Sequence, residues 1–457
     1  MRVRSSRLLD FLRTEEASSV LLLGATLLAL VWVNSPLAAS YERLWGTVAT
    51  LDVGRISLHY DLQHWVNEGL MTLFFLVVGL EIKREITVGE LREPKKLALP
   101  AIAAAGGMVA PAAIYFALNA GTRASGGWGI PVATDIAFAL GVLTIAASRA
   151  PVPVRSFLLT LAIVDDIAAV VLIAVFYSRD LSLGWLMAAA LTASLMALAR
   201  FVPRPRLTPY VVLGVALWLS LHEAGVHPTM AGIIIGLLMP STPFRSSSLA
   251  SARRHAAEAT RLPGEAAAAQ WNAVADQARD AISPLDRVQT ALHPWTSRFV
   301  VPTFALANAG VALDAAVVAE AATSPVGLGV FLGLVVGKPL GILTAVWGAV
   351  RTGVGEAPSG MGARTLFGLA TLAGVGFTVS LFIADLAFET PTLDVAKIGV
   401  LAASLVAGVG GVLILRRSGH RPVPGNGGVD PPTGSTGLRT QAGTPMLPRL
   451  AQSPDRR

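Results

Sequence analysis

The sequence has 457 residues, of which 53% are hydrophobic and 14% charged, and its mean hydropathy is +0.61. A soluble domain of this size does not carry so apolar a composition, so we expect a polytopic, all-α membrane protein. The formal net charge of +7 does not indicate nucleic-acid binding, because Lys and Arg are spread over alternate connections between apolar runs rather than gathered in one patch. The absence of Cys excludes disulfides and thiolate metal sites, and we expect no cofactor.

Apolar runs along the chain predict its membrane helices, since a hydrocarbon core of about 30 Å needs roughly 20 such residues per span. Because Lys and Arg favour the cytoplasmic side, we expect both termini there, with residues 1–16 as a cytoplasmic N-terminus. The small residues of PLAAS at 36–40 also resemble a signal-peptide cleavage site, but Glu15 and Glu16 directly before the first run favour a retained span. The predicted spans number twelve and lie near 17–33, 63–82, 97–118, 128–148, 153–178, 183–199, 208–222, 225–239, 291–313, 325–350, 365–388 and 395–415.

Three segments outside the spans have distinct patterns. Residues 50–61, TLDVGRISLHYD, alternate apolar and polar side chains and predict a short β-hairpin on the outer surface, through which we expect a homodimer. Residues 241–290 form the longest internal connection, a cytoplasmic insertion with a surface helix near 264–281. Residues 416–457 lack hydrophobic periodicity and predict a disordered cytoplasmic tail, so the transmembrane domain is 17–415.

Two predicted spans are interrupted in corresponding places. The fourth contains GIPVATDIAFALG with Pro131 and Asp135, and the eleventh contains LAGVGFTVSLFIADLAF with Gly374 and Gly376. Each is the second helix of a three-helix group, and the two groups have opposite orientations in the predicted topology. We therefore expect an inverted repeat with two broken, crossing helices, a pattern that indicates a transport site near the membrane midplane.

The fifth span, LLTLAIVDDIAAVVLIAVFYS, carries two adjacent carboxylates, Asp165 and Asp166. Two central Asp residues cost about 5 to 7 kcal/mol on insertion, which cancels the gain from the apolar residues around them. Successive helix residues point about 100° apart, so the two carboxylates cannot face the same partner. A purely structural pair is the alternative, but the one lysine available, Lys338, cannot neutralise two acids.

Seven stretches in this order resemble the NhaA-type sodium/proton antiporters, and the similarity runs from about residue 11 to 415. They are FFLVVGLEIKRE (74–85), ATDIAFALGVL (133–143), LAIVDDIAAVVLIAVFYS (161–178), GVHPTMAGIIIGLLMP (225–240), LHPWTSRFVVPTFALANAGV (292–311), GKPLGI (337–342) and GVGFTVSLFIADLAF (374–388).

The resemblance implies an electrogenic exchanger that expels Na⁺ or Li⁺ and admits H⁺ across a bacterial inner membrane, for sodium and pH homeostasis. One carboxylate of the Asp165–Asp166 pair would face a water-filled cavity, while its neighbour also ligates the ion and lies near Lys338. Carboxylate oxygen suits such hard cations. Thr134 could add a hydroxyl or carbonyl ligand, or could cap a half-helix.

Asp135 and Lys338 have a second interpretation, in which they offset the partial charges of the half-helix ends. Direct ion ligation by Asp135 remains the alternative.

A charge cluster at the cytoplasmic end of the second span, Glu81, Arg84 and Glu85, is by itself typical of a solvated helix end. The resemblance implies instead a network through which pH governs activity. His227, at the start of the eighth span, could take part in such regulation, or could serve only in capping or packing.

Some residues depart from the family pattern. Gln289 lies four residues before His293, where acidic residues occur in relatives, Glu68 replaces the usual Asp, and Asp385 lies where a small residue is common. Two other functions are considered. A sodium-coupled transporter of an organic anion would have to overcome repulsion from the adjacent carboxylates, and an intramembrane aspartyl protease would need acids facing each other from two helices, one within GxGD.

Overall fold

The structure, a computed structural model, describes residues 15–53, 56–146, 152–178, 180–199, 201, 207–242, 248–356 and 361–417. The predicted N-terminal segment up to residue 14 and the predicted tail beyond Arg417 lie outside these residues.

The chain begins with two helices and the predicted hairpin. Helix α1 (Glu15–Val33) is followed, after a bend of 116°, by α2 (Ala38–Trp45). Strands β1 (Val48–Val53) and β2 (Ile56–Asp61) pair antiparallel, so the hairpin begins two residues before the predicted 50–61. Asp61 ends β2 and caps the next helix, since its carboxylate accepts a hydrogen bond from the His64 amide at 2.7 Å.

The remaining described chain is largely helical. The first long helix, α3, runs from the hairpin to the charge cluster, and we call its two ends the hairpin end and the Arg84 end. Helices α3, α12 and α14 each contain a π-helical turn. The bounds are α3 (Leu62–Thr87), α4 (Pro94–Asn119), α5 (Ile136–Ala146), α6 (Val152–Phe176), α7 (Leu183–Ala199), α8 (Thr208–Glu223), α9 (Met230–Leu238), α10 (Ser248–Ala259), α11 (Gly264–Asp280), α12 (284–308), α13 (Ala315–Thr323), α14 (Pro325–Arg351), α15 (Ala363–Leu372), α16 (Phe377–Ala387) and α17 (Thr392–Arg417).

Several of these helices could cross a membrane. By length and composition, five described helices qualify (α3, α4, α6, α14 and α17), or up to seven if the bent pairs α1–α2 and α15–α16 each form one span. The other described helices are too short or too polar for this criterion, and α7 is apolar but has only 17 residues. A multi-pass helical protein with one two-stranded sheet is thus confirmed, while the count of twelve spans stays a prediction.

The two predicted broken helices meet at their breaks. A 3₁₀ segment (Arg123–Val132) gives way to extended backbone before α5, and α15 and α16 are bent by 43° at residues 373–376. The Asp135 amide donates a hydrogen bond to the Val375 carbonyl at 2.7 Å, which joins the two breaks. Pro131 lacks an amide hydrogen, and a side chain on Gly374 would collide with the Leu334 carbonyl. Pro131 thus limits helical hydrogen bonding at the first break, and Gly374 allows the second break to lie against α14.

Helices α4 and α14 pack at glycines. A Cβ on Gly106 would collide with the backbone of Gly341, and a Cβ on Gly341 with the backbone of Gly106, so only glycine allows this approach. Lys338 lies one turn from Gly341 on α14. The glycine contact therefore fixes the helix that carries the buried lysine.

The insertion contains two helices, α10 and α11, that pack against each other. Helix α11 coincides with the surface helix predicted near 264–281, whereas α10 was not predicted. His255 on α10 lies 2.6 Å (Nδ1 to Oε1) from Gln270 on α11.

Candidate functional site

Asp165, Thr134 and Lys338 form one buried cluster where α6, the break before α5, and α14 meet. The Lys338 ammonium contacts Asp165 Oδ2 and donates a hydrogen bond to Thr134 Oγ1 at 2.7 Å. The Thr134 hydroxyl also lies 2.6 Å from Asp165 Oδ2 and 2.9 Å from the Ala373 carbonyl oxygen. None of the three residues is more than 1% exposed. The structure thus brings the predicted lysine, threonine and one predicted aspartate together.

One oxygen of this cluster has spare capacity. Asp165 Oδ1 is buried and has no hydrogen-bond partner among the described residues. Leaving a buried acceptor unpaired costs about 1 to 3 kcal/mol, and the cost is larger when the acceptor is charged. A proton or a cation at Oδ1 would remove that cost.

Asp166 faces elsewhere. It lines a cavity of about 310 Å³ together with Thr134, Asp135 and Thr378, whereas Asp165 does not appear among the described lining residues. The rotation of about 100° between neighbouring helix positions accounts for this division. Asp166 is the carboxylate on the cavity, and Asp165 is the one beside the lysine.

Asp135 caps two helices at once. Its Oδ1 accepts a hydrogen bond from the Phe138 amide of α5 at 3.0 Å, and its Oδ2 accepts from the Thr378 amide and hydroxyl of α16 at 3.2 and 2.7 Å. A helix N-terminus carries roughly half a positive elementary charge, so one carboxylate serves two such ends. These contacts favour the charge-compensation interpretation of Asp135 over direct ligation.

The cavity continues toward the Arg84 end. A second cavity of about 510 Å³ is lined by Glu81, Arg84, Gln289 and Arg298, among others. The two cavities share Ser18, Glu81, His293 and Ser297 as lining residues. Glu85 is half-buried one turn further along α3 and is not among the described lining residues. A passage therefore leads from Asp166 to Glu81 and Arg84, and its lining is mostly apolar around Asp166 and polar near Arg84.

Three buried phenylalanines lie against one another between the cavity and the hairpin end, and we call them the aromatic layer (Phe75, Phe304, Phe382). The Phe382 ring centroid lies 5.5 Å from that of Phe75 and 6.2 Å from that of Phe304, and none is more than 2% exposed. On each of the three helices, the phenylalanine lies between a residue that lines the cavity and a polar residue nearer the hairpin end. In that order, the residues are Val78, Phe75 and Asn67 on α3; Val301, Phe304 and Asn308 on α12; and Thr378, Phe382 and Asp385 on α16.

Beyond the aromatic layer lies a polar cluster that is only weakly indicated in the sequence. The Asn67 amide donates to Asp385 Oδ2 at 2.9 Å, and the Asn308 amide donates to Asn67 Oδ1 at 2.7 Å. Asp385 and Glu68 stand out in sequence only as carboxylates within apolar helices. The i, i+4 spacing of His64 and Glu68 is visible in the sequence, whereas nothing in the sequence connects Glu68 to His222, which also contacts it.

His227 has the contacts of a packing residue. Its Nδ1 lies 2.7 Å from the Thr229 hydroxyl, and its ring is edge-on to Phe382 with centroids 5.1 Å apart. These contacts fit the capping or packing alternative, and a part in pH regulation stays a prediction.

Comparison with known proteins decides the family. A sequence profile described as Na⁺/H⁺ antiporter 1 matches residues 9–415. The chain belongs to this family. A protein named Na(+)/H(+) antiporter NhaA from Oleidesulfovibrio alaskensis is 44% identical over 421 residues, which are 89% of this chain and 92% of the relative. One named Na(+)/H(+) antiporter NhaA 3 from Frankia alni is 45% identical over 420 residues, covering 90% and 89%, and the Rhodospirillum rubrum relative, named Na(+)/H(+) antiporter NhaA, is 44% identical over 423 residues, covering 91% and 98%.

Family membership confirms the resemblance found in the seven stretches and places its start two residues earlier than predicted. It also confirms a transporter rather than an enzyme, so the protease alternative is set aside. The Asp pair, Lys338 and the two broken helices lie together in the folded protein.

Proposed function

We propose that this protein exchanges internal Na⁺ or Li⁺ for external H⁺ across a bacterial inner membrane, with Asp165 and Asp166 as the carriers. The observation that carries the proposal is the division within the pair: one carboxylate faces the cavity and its neighbour is paired with a buried lysine. The relatives' printed names support the same ions.

The chemistry is competition for the same oxygens. Two adjacent carboxylates repel each other, and either a proton or a sodium ion relieves that repulsion. Asp166 and the unpaired Asp165 Oδ1 supply charged oxygen ligands, and the Thr134 hydroxyl supplies a neutral one. Sodium that binds Asp165 competes with the Lys338 ammonium, so Lys338 acts either as a second proton carrier or as fixed charge. Protons bound to these carboxylates therefore exclude sodium, and bound sodium excludes protons.

The topology we propose has twelve spans, an inverted repeat and both termini in the cytoplasm. The distribution of Lys and Arg supports this orientation, and the meeting of the two broken helices supports the repeat. The Arg84 end then faces the cytoplasm and the hairpin end faces outward. The polar passage at the Arg84 end and the aromatic layer at the other correspond to an inward-open conformation.

We further propose that exchange is electrogenic and regulated by pH, with Glu81, Arg84, Glu85 and His227 as the regulatory groups. Glu81 and Arg84 support this by lining the passage through which the ions would move. A homodimer through the hairpin is also proposed, because the two strands pair only with each other among the described residues.

The test is cation-dependent proton movement in everted membrane vesicles. After respiration acidifies the lumen, addition of Na⁺ or Li⁺ should dequench a pH-sensitive dye, and K⁺ should not. Vesicles with equal amounts of Asp166→Asn protein are the matched control and should not respond. Absence of any Na⁺ or Li⁺ response with wild-type protein would overturn the proposal.

A further inference from the structure

Glu68 lies between two histidines near the hairpin end, and we call the three residues the Glu68 triad (His64, Glu68, His222). His64 Nε2 on the same helix lies 3.1 Å from Glu68 Oε1, and His222 Nδ1 on α8 lies 3.4 Å from Glu68 Oε2. Each carboxylate oxygen therefore has one imidazole nitrogen beside it. The proposed ion exchange at Asp165 and Asp166 does not involve these three residues.

The contacts in the triad leave hydrogen-bonding capacity unused. Glu68 Oε2 and His64 Nε2 are buried and lack a properly aligned hydrogen bond within the described structure, although each lies within ion-pair distance of its partner. Glu68 itself is only 9% exposed. A buried acceptor beside a buried nitrogen is costly without a shared proton. The site thus has capacity for one more proton.

A tyrosine from the hairpin fixes one histidine. The Tyr60 hydroxyl lies 2.7 Å from His222 Nε2, while the Tyr60 ring stacks on His64 with centroids 4.2 Å apart. Burial, with the nearby carboxylates of Glu68 and Glu223, raises the pKa of Tyr60 above its ordinary value, so its hydroxyl stays protonated and can donate to Nε2. His222 then carries its own hydrogen on Nδ1, toward Glu68.

The groups around the triad are titratable, which suits a proton as its ligand. The other charged or titratable groups that influence the triad are Asp61 on β2, Glu223 on α8, His227 before α9 and Asp385 on α16, with Lys397 on α17 acting on Asp385. No group of three or more His, Asp or Glu residues in the described ranges could hold a metal ion. The triad lies on the hairpin side of the aromatic layer, and His64, whose side chain is 41% exposed, is its most accessible member.

We propose that the Glu68 triad is the site at which external protons load before they reach the Asp pair. This inference rests on the proposed function and its orientation. A proton from outer water binds His64 Nδ1, and the resulting imidazolium is held by the Glu68 carboxylate, whose Oε1 lies 3.1 Å from Nε2. The aromatic layer holds the proton there until the hairpin end opens.

The experiment measures how the rate of Na⁺ efflux depends on external pH while internal pH is held constant. Right-side-out vesicles are loaded with radioactive Na⁺ at one fixed internal pH, and Na⁺ efflux is followed while external pH is varied. We expect Glu68→Gln and, separately, His64→Gln to move the external pH of half-maximal efflux to lower pH, so that at least tenfold more external H⁺ is required. The apparent affinity for internal Na⁺ should not change. Glu42→Gln, an exposed acid on α2 near the hairpin, is the matched control and should match wild type.

Each outcome decides the question. If either variant transports with the wild-type external pH midpoint, or is slowed equally at every external pH, the triad is not a loading site. Should Glu68→Gln fail to insert, His64→Gln alone decides, since it removes the more exposed partner. If wild-type protein exchanges no Na⁺ for H⁺ in everted vesicles, the proposed function has failed instead, so the two failures are distinguishable.

Discussion

Asp165 and Asp166 are chemically identical neighbours that lie in different surroundings. Asp165 is held by Lys338 and Thr134, so its orientation is fixed, and its free Oδ1 is available to a small ligand. Asp166 faces the cavity and can meet ions that enter through the passage. At the residue scale, we therefore propose that ion entry and ion binding are divided between these two side chains.

Replacing either carboxylate should stop exchange. We expect Asp166→Asn to reduce Na⁺-dependent proton flux to background, because an amide keeps the volume but neither cycles a proton nor carries the charge. Asp165→Asn should be nearly as severe. Flux is measured in proteoliposomes with protein levels matched, and Asp314→Asn, an exposed acid, serves as the control. Normal flux in both variants would contradict the carrier assignment.

Lys338→Arg separates two roles for the buried lysine. A guanidinium keeps the positive charge but does not release its proton in proteins, so an arginine can supply fixed charge and cannot carry a proton. We expect the variant to lose voltage dependence, since each carried charge is worth about 2.3 kcal/mol per 100 mV. Na⁺-driven proton flux with the potential clamped by K⁺ and valinomycin measures this. An active variant as voltage-dependent as wild type would leave only the fixed-charge role.

The Asp pair, Lys338 and Asp135 could be found from sequence, because a charge within an apolar run is costly and so indicates a use. The sequence does not show which of the two Asp residues faces the cavity, because that depends on how α6 is rotated against α14. The Glu68 triad was missed for a similar reason: His222 lies far from Glu68 in sequence, and only the packing of α8 near α3 brings them together.

At the scale of elements, the α4–α14 contact positions the buried lysine. We expect Gly341→Ala to lower the melting temperature of detergent-purified protein, since overpacking a close contact typically costs about 1 to 3 kcal/mol. Gly348→Ala on the same helix is the matched control, because an added Cβ there meets no atom within 4 Å. An unchanged melting temperature for Gly341→Ala would show that the helices separate at little cost.

Helix locations followed from apolar runs, and the two breaks followed from Pro131 and the glycines near 374. The π-helical turns could not be predicted, because a segment of five residues is too short to show a change in the period of its apolar residues. Helix α10 was missed because its composition, SLASARRHAAEA, is polar and its only described helical partner of note is α11. Helix α17 extends to Arg417, two residues past the predicted end at 415, within the usual fraying of helix ends.

At the scale of the whole molecule, the hairpin is the element through which two copies could join. The chain has no cysteine, so a single introduced thiol reports contact without background. We expect Leu51→Cys, whose leucine is 49% exposed on β1, to form a disulfide-linked dimer in oxidised membranes, because both strands have an unpaired edge. Val88→Cys, 72% exposed at the Arg84 end, should remain monomeric. Equal cross-linking of both would contradict a hairpin interface.

The aromatic layer also has a consequence for the energy economy of a cell. A membrane at 100 mV stores about 2.3 kcal/mol for each proton held outside it, and that energy is lost whenever a proton slips through without moving a sodium ion in return. Three contiguous phenylalanine rings give a proton no oxygen or nitrogen to hop along. In the exchange we propose, they would act as electrical insulation, so that a resting carrier, however abundant, would not discharge the membrane that powers it.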